Sequence, residues 1–182
     1  MGYASGCKKL WEIIDDIAAF LMADAEGYWT DGDTKWDTKD RTGNNARRSL
    51  HYVNGSDEFY IALEQINEKN EIKSNPYLYG KGLRMVFSKT WDVTGHKYPT
   101  SGDSIFIPLE RAVSVSADVD MATLTVTYSL WYNASGFTLI GYPEPHADEN
   151  QQCFIAVIER NPDKTYSDGY TTIFNHSESR YK

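Results

Sequence analysis

Near the start of the chain, apolar residues recur at helical spacing. Leu10, Ile14, Ile17 and Leu21 fall three or four positions apart, flanked by Ile13 and Phe20 and widened by Trp11. Glu12, Asp15 and Asp16 fall mostly on the opposite side. The pattern predicts an amphipathic helix over 7–25 with one buried stripe. Ser5 is the expected N-cap and Gly27 the stop signal. Burial against the chain's own sheet is the default fate of such a stripe. A terminal helix is also free to dock on a neighbouring subunit.

Beyond the helix the period changes to two. Residues 27–48 read as a long polar excursion carrying Trp29 and Trp36. Strands are then expected at 48–53, 58–66, 82–88, 105–109, 123–132, 137–142 and 153–160, with a brief alternation at 113–116 and a last strand at 170–174. Asn54-Gly55 joins the first two, with both residues expected at the centre of a hairpin turn. The clearest alternation is Leu124, Val126, Tyr128 and Leu130 against Thr123, Thr125, Thr127 and Ser129. Pro108 argues for an edge position for 105–109, and the mostly apolar run at 153–160 for a central strand. Seven or eight short strands with turn signals between them predict a mainly β (α+β) protein. Its expected form is an antiparallel β-sandwich-like domain with one amphipathic N-terminal helix. Residues 1–26 form the helical segment, packed on or extending from the domain, and 27–182 a single β-rich domain.

Composition changes this picture at three points. Aromatic residues make up 14% of the chain, including 13 Tyr and 5 Trp, which suits half-buried strands and contact surfaces alike. Net charge is −8 and the longest basic runs are the pairs Lys8-Lys9 and Arg47-Arg48, which argues against nucleic-acid and membrane partners. Cys7 and Cys153 stand far apart in no metal or redox spacing, and two free thiols in a reducing compartment are expected. The apolar stretch of the first helix is interrupted by Glu12, Asp15 and Asp16, so it reads as neither a signal peptide nor a membrane span.

Candidate chemistry is sparse. Asp31, Asp33 and Asp37 have the alternation of a calcium loop, but Lys35 stands where an oxygen ligand belongs and the terminal glutamate is missing. His51, His96, His146 and His176 show no metal spacing, Gly80-Lys81-Gly82 is too short for a phosphate loop, and no Gly-x-Ser-x-Gly elbow occurs. Asp57 and Glu58 are adjacent, so on a strand they point to opposite faces and cannot form a catalytic carboxylate pair. No catalytic residue, cofactor or metal ligand is assigned, and the chain is expected not to be an enzyme. The candidate contact residues are the helix positions Leu10, Trp11, Ile14, Ile17 and Leu21 and the loop aromatics Trp29, Trp36, Tyr77, Tyr79, Trp91 and Tyr98. Loop aromatics on a β-sandwich also stack on sugar rings, which gives a second expectation: a carbohydrate-binding module or receptor-binding component recognising host cell-wall glycan.

The stretch 52–64, Tyr-Val-Asn-Gly-Ser-Asp-Glu-Phe-Tyr-Ile-Ala-Leu-Glu, is followed by Gly-Lys-Gly-Leu-Arg-Met-Val-Phe-Ser at 80–88 and then by Trp91-Asp92. Together with the N-terminal helix, Trp29 and Trp36, it resembles small virion structural proteins of tailed bacteriophages and prophages of Gram-positive hosts. The resemblance spans roughly the first half of the chain and carries no catalytic motif. It implies a particle component, in the tail or its tip, that is made in the host bacterial cytoplasm and works among other virion subunits and further copies of itself.

Overall fold

A computed structural model describes residues 1–37, 46–70, 80–98, 103–107, 109, 120–144, 153–159 and 170–176. Side-chain alternation along its strands sorts apolar residues to one face, and two such faces close on a shared core. In chain order the elements are β1 (Gly2–Lys9), α1 (Leu10–Met22), β2 (Trp29–Asp31), β3 (Arg47–Asn54), β4 (Asp57–Asn70) and β5 (Gly80–Ser88), then β6 (Asp103–Ile107), β7 (Thr125–Asn133), β8 (Gly136–Glu144), β9 (Cys153–Glu159) and β10 (Tyr170–His176). Sheet A has the order β1-β7-β8-β9-β10 and sheet B the order β2-β3-β4-β5-β6, and every pairing is antiparallel. The architecture is an antiparallel β-sandwich with one N-terminal helix.

Leu50, Tyr52, Phe59, Ile61, Leu63, Leu83, Met85 and Phe87 face the core from sheet B. Val126, Tyr128, Leu130, Phe137, Leu139, Phe154, Ala156 and Ile158 meet them from sheet A. The helix lies across the side where β1 and β2 are edge strands, touching β1 and β7 of one sheet and β2, β3 and β4 of the other. Its buried stripe is Leu10, Ile13, Ile14, Ile17, Ala18 and Leu21. Full burial of each large apolar side chain contributes roughly 1.5–3 kcal/mol, so the stripe is a main part of the core. Two polar ties hold the layers in place: Tyr128 Oη donates to Asp16 Oδ2 at 2.6 Å, and Trp29 Nε1 donates to Ala134 O at 2.9 Å across the sheets.

Several local expectations are corrected. The helix starts at Leu10, because 2–9 is taken into β1 by pairing with β7 from Gly2↔Tyr132 to Lys9↔Thr125. Lys9 is therefore the N-cap, not Ser5, and its backbone N–H donates to Glu12 Oε2 at 2.9 Å. The helix ends at Met22 with Ala23 as C-cap; Gly27, at φ 68°, ends the turn that follows. In the β3–β4 hairpin Asn54 pairs with Asp57, so the central residues are Gly55 and Ser56, and Gly55 alone carries a positive φ, 63°. That is the signature of a type II′ turn, one residue on from the expected centre. Trp29 belongs to the short strand β2 and not to a loop.

β6 occupies the edge that Pro108 suggested. Gly82 lets it approach β5, since a Cβ at that position would overlap the Ile107 carbonyl. β9 lies inside sheet A, with Phe154, Ala156 and Ile158 buried and Ile155 and Val157 half-buried on the outer face. The expected alternation at 113–116 lies outside the described residues.

Candidate functional site

The outward residues of β3, β4 and β5 do not simply face solvent. Register places Ser49, Ala62 and Val86 in one row and Arg47, Glu64 and Arg84 in the next. Onto Ala62 and Val86 pack Trp36, from the segment after β2, and Trp91, from the segment after β5, with Tyr60 and Tyr98 beside them. Trp36 is 5% exposed and Trp91 9%. Their rings meet edge to face at 5.4 Å, and Tyr98 meets Trp36 edge to face at 5.9 Å. Arg47 lies over the Trp36 ring at 4.9 Å, and its Nε donates to the Trp36 carbonyl. The result is a second, smaller core on the outside of sheet B.

Asp33 is the polar centre of this layer. Its Oδ2 accepts from Trp91 Nε1 at 2.9 Å and His96 Nδ1 at 2.8 Å, while Oδ1 accepts from the backbone N–H of Lys35 at 3.0 Å and of Trp36 at 3.4 Å. Burial pushes the carboxyl towards its neutral form. The donated hydrogen bonds and the charge of His96 outweigh that and hold it below the ordinary carboxylate range. His96 reaches Asp33 from a backbone φ of 50°, in the left-handed region. One carboxylate thus joins the segment at 33–36 to the segment at 91–96.

The neighbouring acidic residues are also engaged. Asp37 Oδ1 accepts from both Ser49 N–H and Ser49 Oγ at 2.8 and 2.9 Å, and burial raises its pKa in spite of those donors. Asp31 holds Arg48 at 2.8 Å. The alternating aspartates therefore point at protein donors, and among the described residues no cluster of three or more His, Cys, Asp or Glu is arranged to hold a metal. At the far end of the layer Glu64 Oε2 accepts from Arg84 Nε at 2.6 Å and from Tyr98 Oη at 3.0 Å. Burial first, and then the Glu64 charge, push the Tyr98 hydroxyl up to about 12. His51 stacks on Tyr60 at 4.2 Å, and its Nε2 pairs with Glu58 at 2.8 Å.

Chemically this arrangement is a clasp. The Asp33–His96 pair has the geometry of a base held by its orienting carboxylate. Among the described residues, however, no hydroxyl or thiol is bonded to His96 to serve as a nucleophile. The residues nominated as contacts are mostly consumed by the fold. Leu10, Ile14, Ile17 and Leu21 lie in the main core and Trp11 is half-buried on its flank. Their stripe faces the chain's own sheets, which removes it as a docking surface for a neighbour. Trp29 is in the same core, and Trp36, Trp91 and Tyr98 form the outer cluster. Their ring faces are covered by one another, which removes Trp36 and Trp91 as an open platform for sugars. Tyr77 and Tyr79 lie outside the described residues.

Sequence reasoning passed over two exposed aromatics on the outer face of sheet A. Trp131 is 38% exposed and Tyr3 56%, and their rings touch at 5.2 Å. The signal was present for Trp131: it continues the Thr125, Thr127, Ser129 side of the alternation, where a large indole has no core to fill. Cys7 is an exposed free thiol on β1. Cys153 is on β9, three strand spacings away in the same sheet. At roughly 14 Å between those backbones, a disulfide joining the two is out of reach. Among the described residues no helix is long and apolar enough to cross a membrane.

No family model matches the chain, and comparison with curated proteins and with solved structures likewise finds no match.

Proposed function

We propose that the chain is a structural subunit of a tailed-bacteriophage virion, in the tail or its tip, acting through protein–protein contacts. The observation that carries the proposal is where the resembling segments fall. Residues 52–64 span the β3–β4 turn with the end of β3 and the first part of β4, 80–88 is β5, and Trp36 and Trp91 form the layer outside them. They belong to one unit: a sheet packed with side chains on both faces. Close packing on both sides makes such a plate stiff and holds its surface in fixed geometry, as a subunit of a regular assembly requires. In this reading the chain is made in the bacterial cytoplasm and ends in the particle, beside other virion subunits and further copies of itself.

Two measurements test the proposal together. Particles induced from the encoding host are purified on a density gradient and analysed by mass spectrometry, and the isolated chain is followed by light scattering across a concentration series. Co-purification of the chain with intact tails, or a discrete oligomer in solution that tail components recruit, is expected. Absence from purified particles together with a monomer at every concentration sinks the proposal.

A further inference from the structure

Three of the five exposed large apolar residues among the described part of the chain, Met1, Tyr3 and Trp131, gather at one corner of sheet A. Met1 and Trp131 line the same half-open depression of about 200 Å³, together with Asn133, Thr138 and Ile158. Tyr3 and Trp131 are directly paired across β1 and β7, and Trp131 is paired in turn with Thr138 on β8. The two rings are inclined at 48° with centroids 5.2 Å apart. Tyr3 Oη and Ser129 Oγ share a hydrogen bond at 3.3 Å that fixes the outer ring. Asn133 spends its Oδ1 on the backbone N–H groups of Ser135 and Gly136, at 2.7 and 3.1 Å, which leaves its Nδ2 as the remaining hydrogen-bonding group.

We infer that this corner is a binding site for a neutral hexopyranose unit of a glycan. The axial C–H bonds of a pyranose carry partial positive charge and seat on the negative face of an aromatic ring, and its equatorial hydroxyls need donors and acceptors at the rim. Trp131 supplies the face that lines the depression, Tyr3 extends the aromatic surface beside it, and Thr138 and Asn133 supply the rim. Among the described residues no charged side chain lines the depression, in a chain of net charge −8. That combination suits an uncharged sugar, and an anionic polymer would meet repulsion from the protein as a whole. The space is of the size of a single sugar ring and is below the range of pockets built for drug-sized ligands. A second copy of the chain or another protein is the competing occupant for exposed Tyr and Trp.

The site does not depend on the virion reading, and its test separates the two. The whole chain is applied to a broad array of neutral and acidic glycans, and the neutral glycan giving the largest signal is titrated by isothermal calorimetry. Trp131→Ala and Tyr3→Ala are each expected to weaken binding roughly tenfold, with a smaller loss for Thr138→Ala. Val93→Ala, exposed in the segment after β5, leaves binding unchanged. Far-UV circular dichroism confirms that each variant is folded, which the exposure of both rings favours. Binding to no neutral glycan, binding to acidic glycans alone, or binding that both aromatic variants retain overturns the inference. So does an oligomer that Trp131→Ala dissolves, which would make the corner a protein contact.

Discussion

Replacing Asp33 by Asn isolates the clasp on the outside of sheet B. The side chain keeps its size, and its remaining oxygen still serves the Lys35 and Trp36 amides. The new amide nitrogen then faces Trp91 Nε1 and His96 Nδ1, both of which donated to the carboxylate. His96 has a way out, because a neutral imidazole can present Nδ1 as an acceptor and its side chain is 35% exposed. Trp91 has none: an indole N–H only donates, and here it is buried. Leaving a buried donor unsatisfied costs about 1–3 kcal/mol, and losing a charge-assisted bond moves the expectation to the upper part of that range. The prediction is a loss of about 2–3 kcal/mol, or roughly 5–10 °C in Tm for a chain of this size.

Urea unfolding at pH 7, read by near-UV circular dichroism of the Trp36–Trp91 pair, measures this loss. Its pH dependence is a second readout. A carboxylate held below its unfolded pKa stabilises the fold fully above that unfolded value, near pH 4, and ceases to do so as the pH falls through the lower folded value. The gap between wild type and Asp33→Asn is therefore expected to close as the pH falls below about 4. Trp91→Phe removes the indole donor, so Asp33→Asn costs about 1 kcal/mol less in that background. A loss under about 0.5 kcal/mol, or strict additivity of the two substitutions, would refute the idea that Trp91 depends on Asp33.

Other substitutions test other parts of the fold. Gly82→Ala forces β5 and β6 apart at the Ile107 carbonyl; it is expected to cost about 1–3 kcal/mol and to raise amide exchange along β6, and an unchanged exchange pattern contradicts the close approach. Ile17→Ala, in the middle of the helix stripe, should lower stability of the isolated chain by about 2–5 kcal/mol in denaturant titration. If its only defect is in association, the stripe is a docking surface after all. Trp29→Phe keeps most of the ring but drops the bond to the Ala134 carbonyl; a loss of about 1–3 kcal/mol is expected, and a neutral result would show that this carbonyl finds water instead.

The parts of the fold legible in the sequence are those with strong periodicity. Leu10 to Leu21 declared a helix, and the rows from β4, β5, β7 and β8 declared strands, because burial on one face imposes the period directly. β1 was not legible. Gly2, Ala4, Ser5 and Gly6 carry little strand propensity, and what makes them a strand is a partner more than a hundred residues away. β2 is three residues long among aspartates and a glycine, too short for any period to show. The fate of Trp36 and Trp91 was hidden for a similar reason: an aromatic in a polar segment reads alike whether it folds back or stays open. Trp131 was the more readable clue, an indole on the hydroxyl side of an alternating strand.

The two sheets differ in how far apart their partners lie along the chain, and this sets an order of events during synthesis. Sheet B is a meander, each strand pairing with the next one made, so it closes by short local steps. Sheet A cannot be completed that way, because its edge strand β1 waits for β7, from Gly2↔Tyr132 onward. A nascent chain that has just released β6 is expected to hold sheet B formed, the helix stripe not yet covered by sheet A, and β1 without its partner. Protease resistance of ribosome-bound chains should therefore appear in sheet B first and reach β1 only after β7 has emerged.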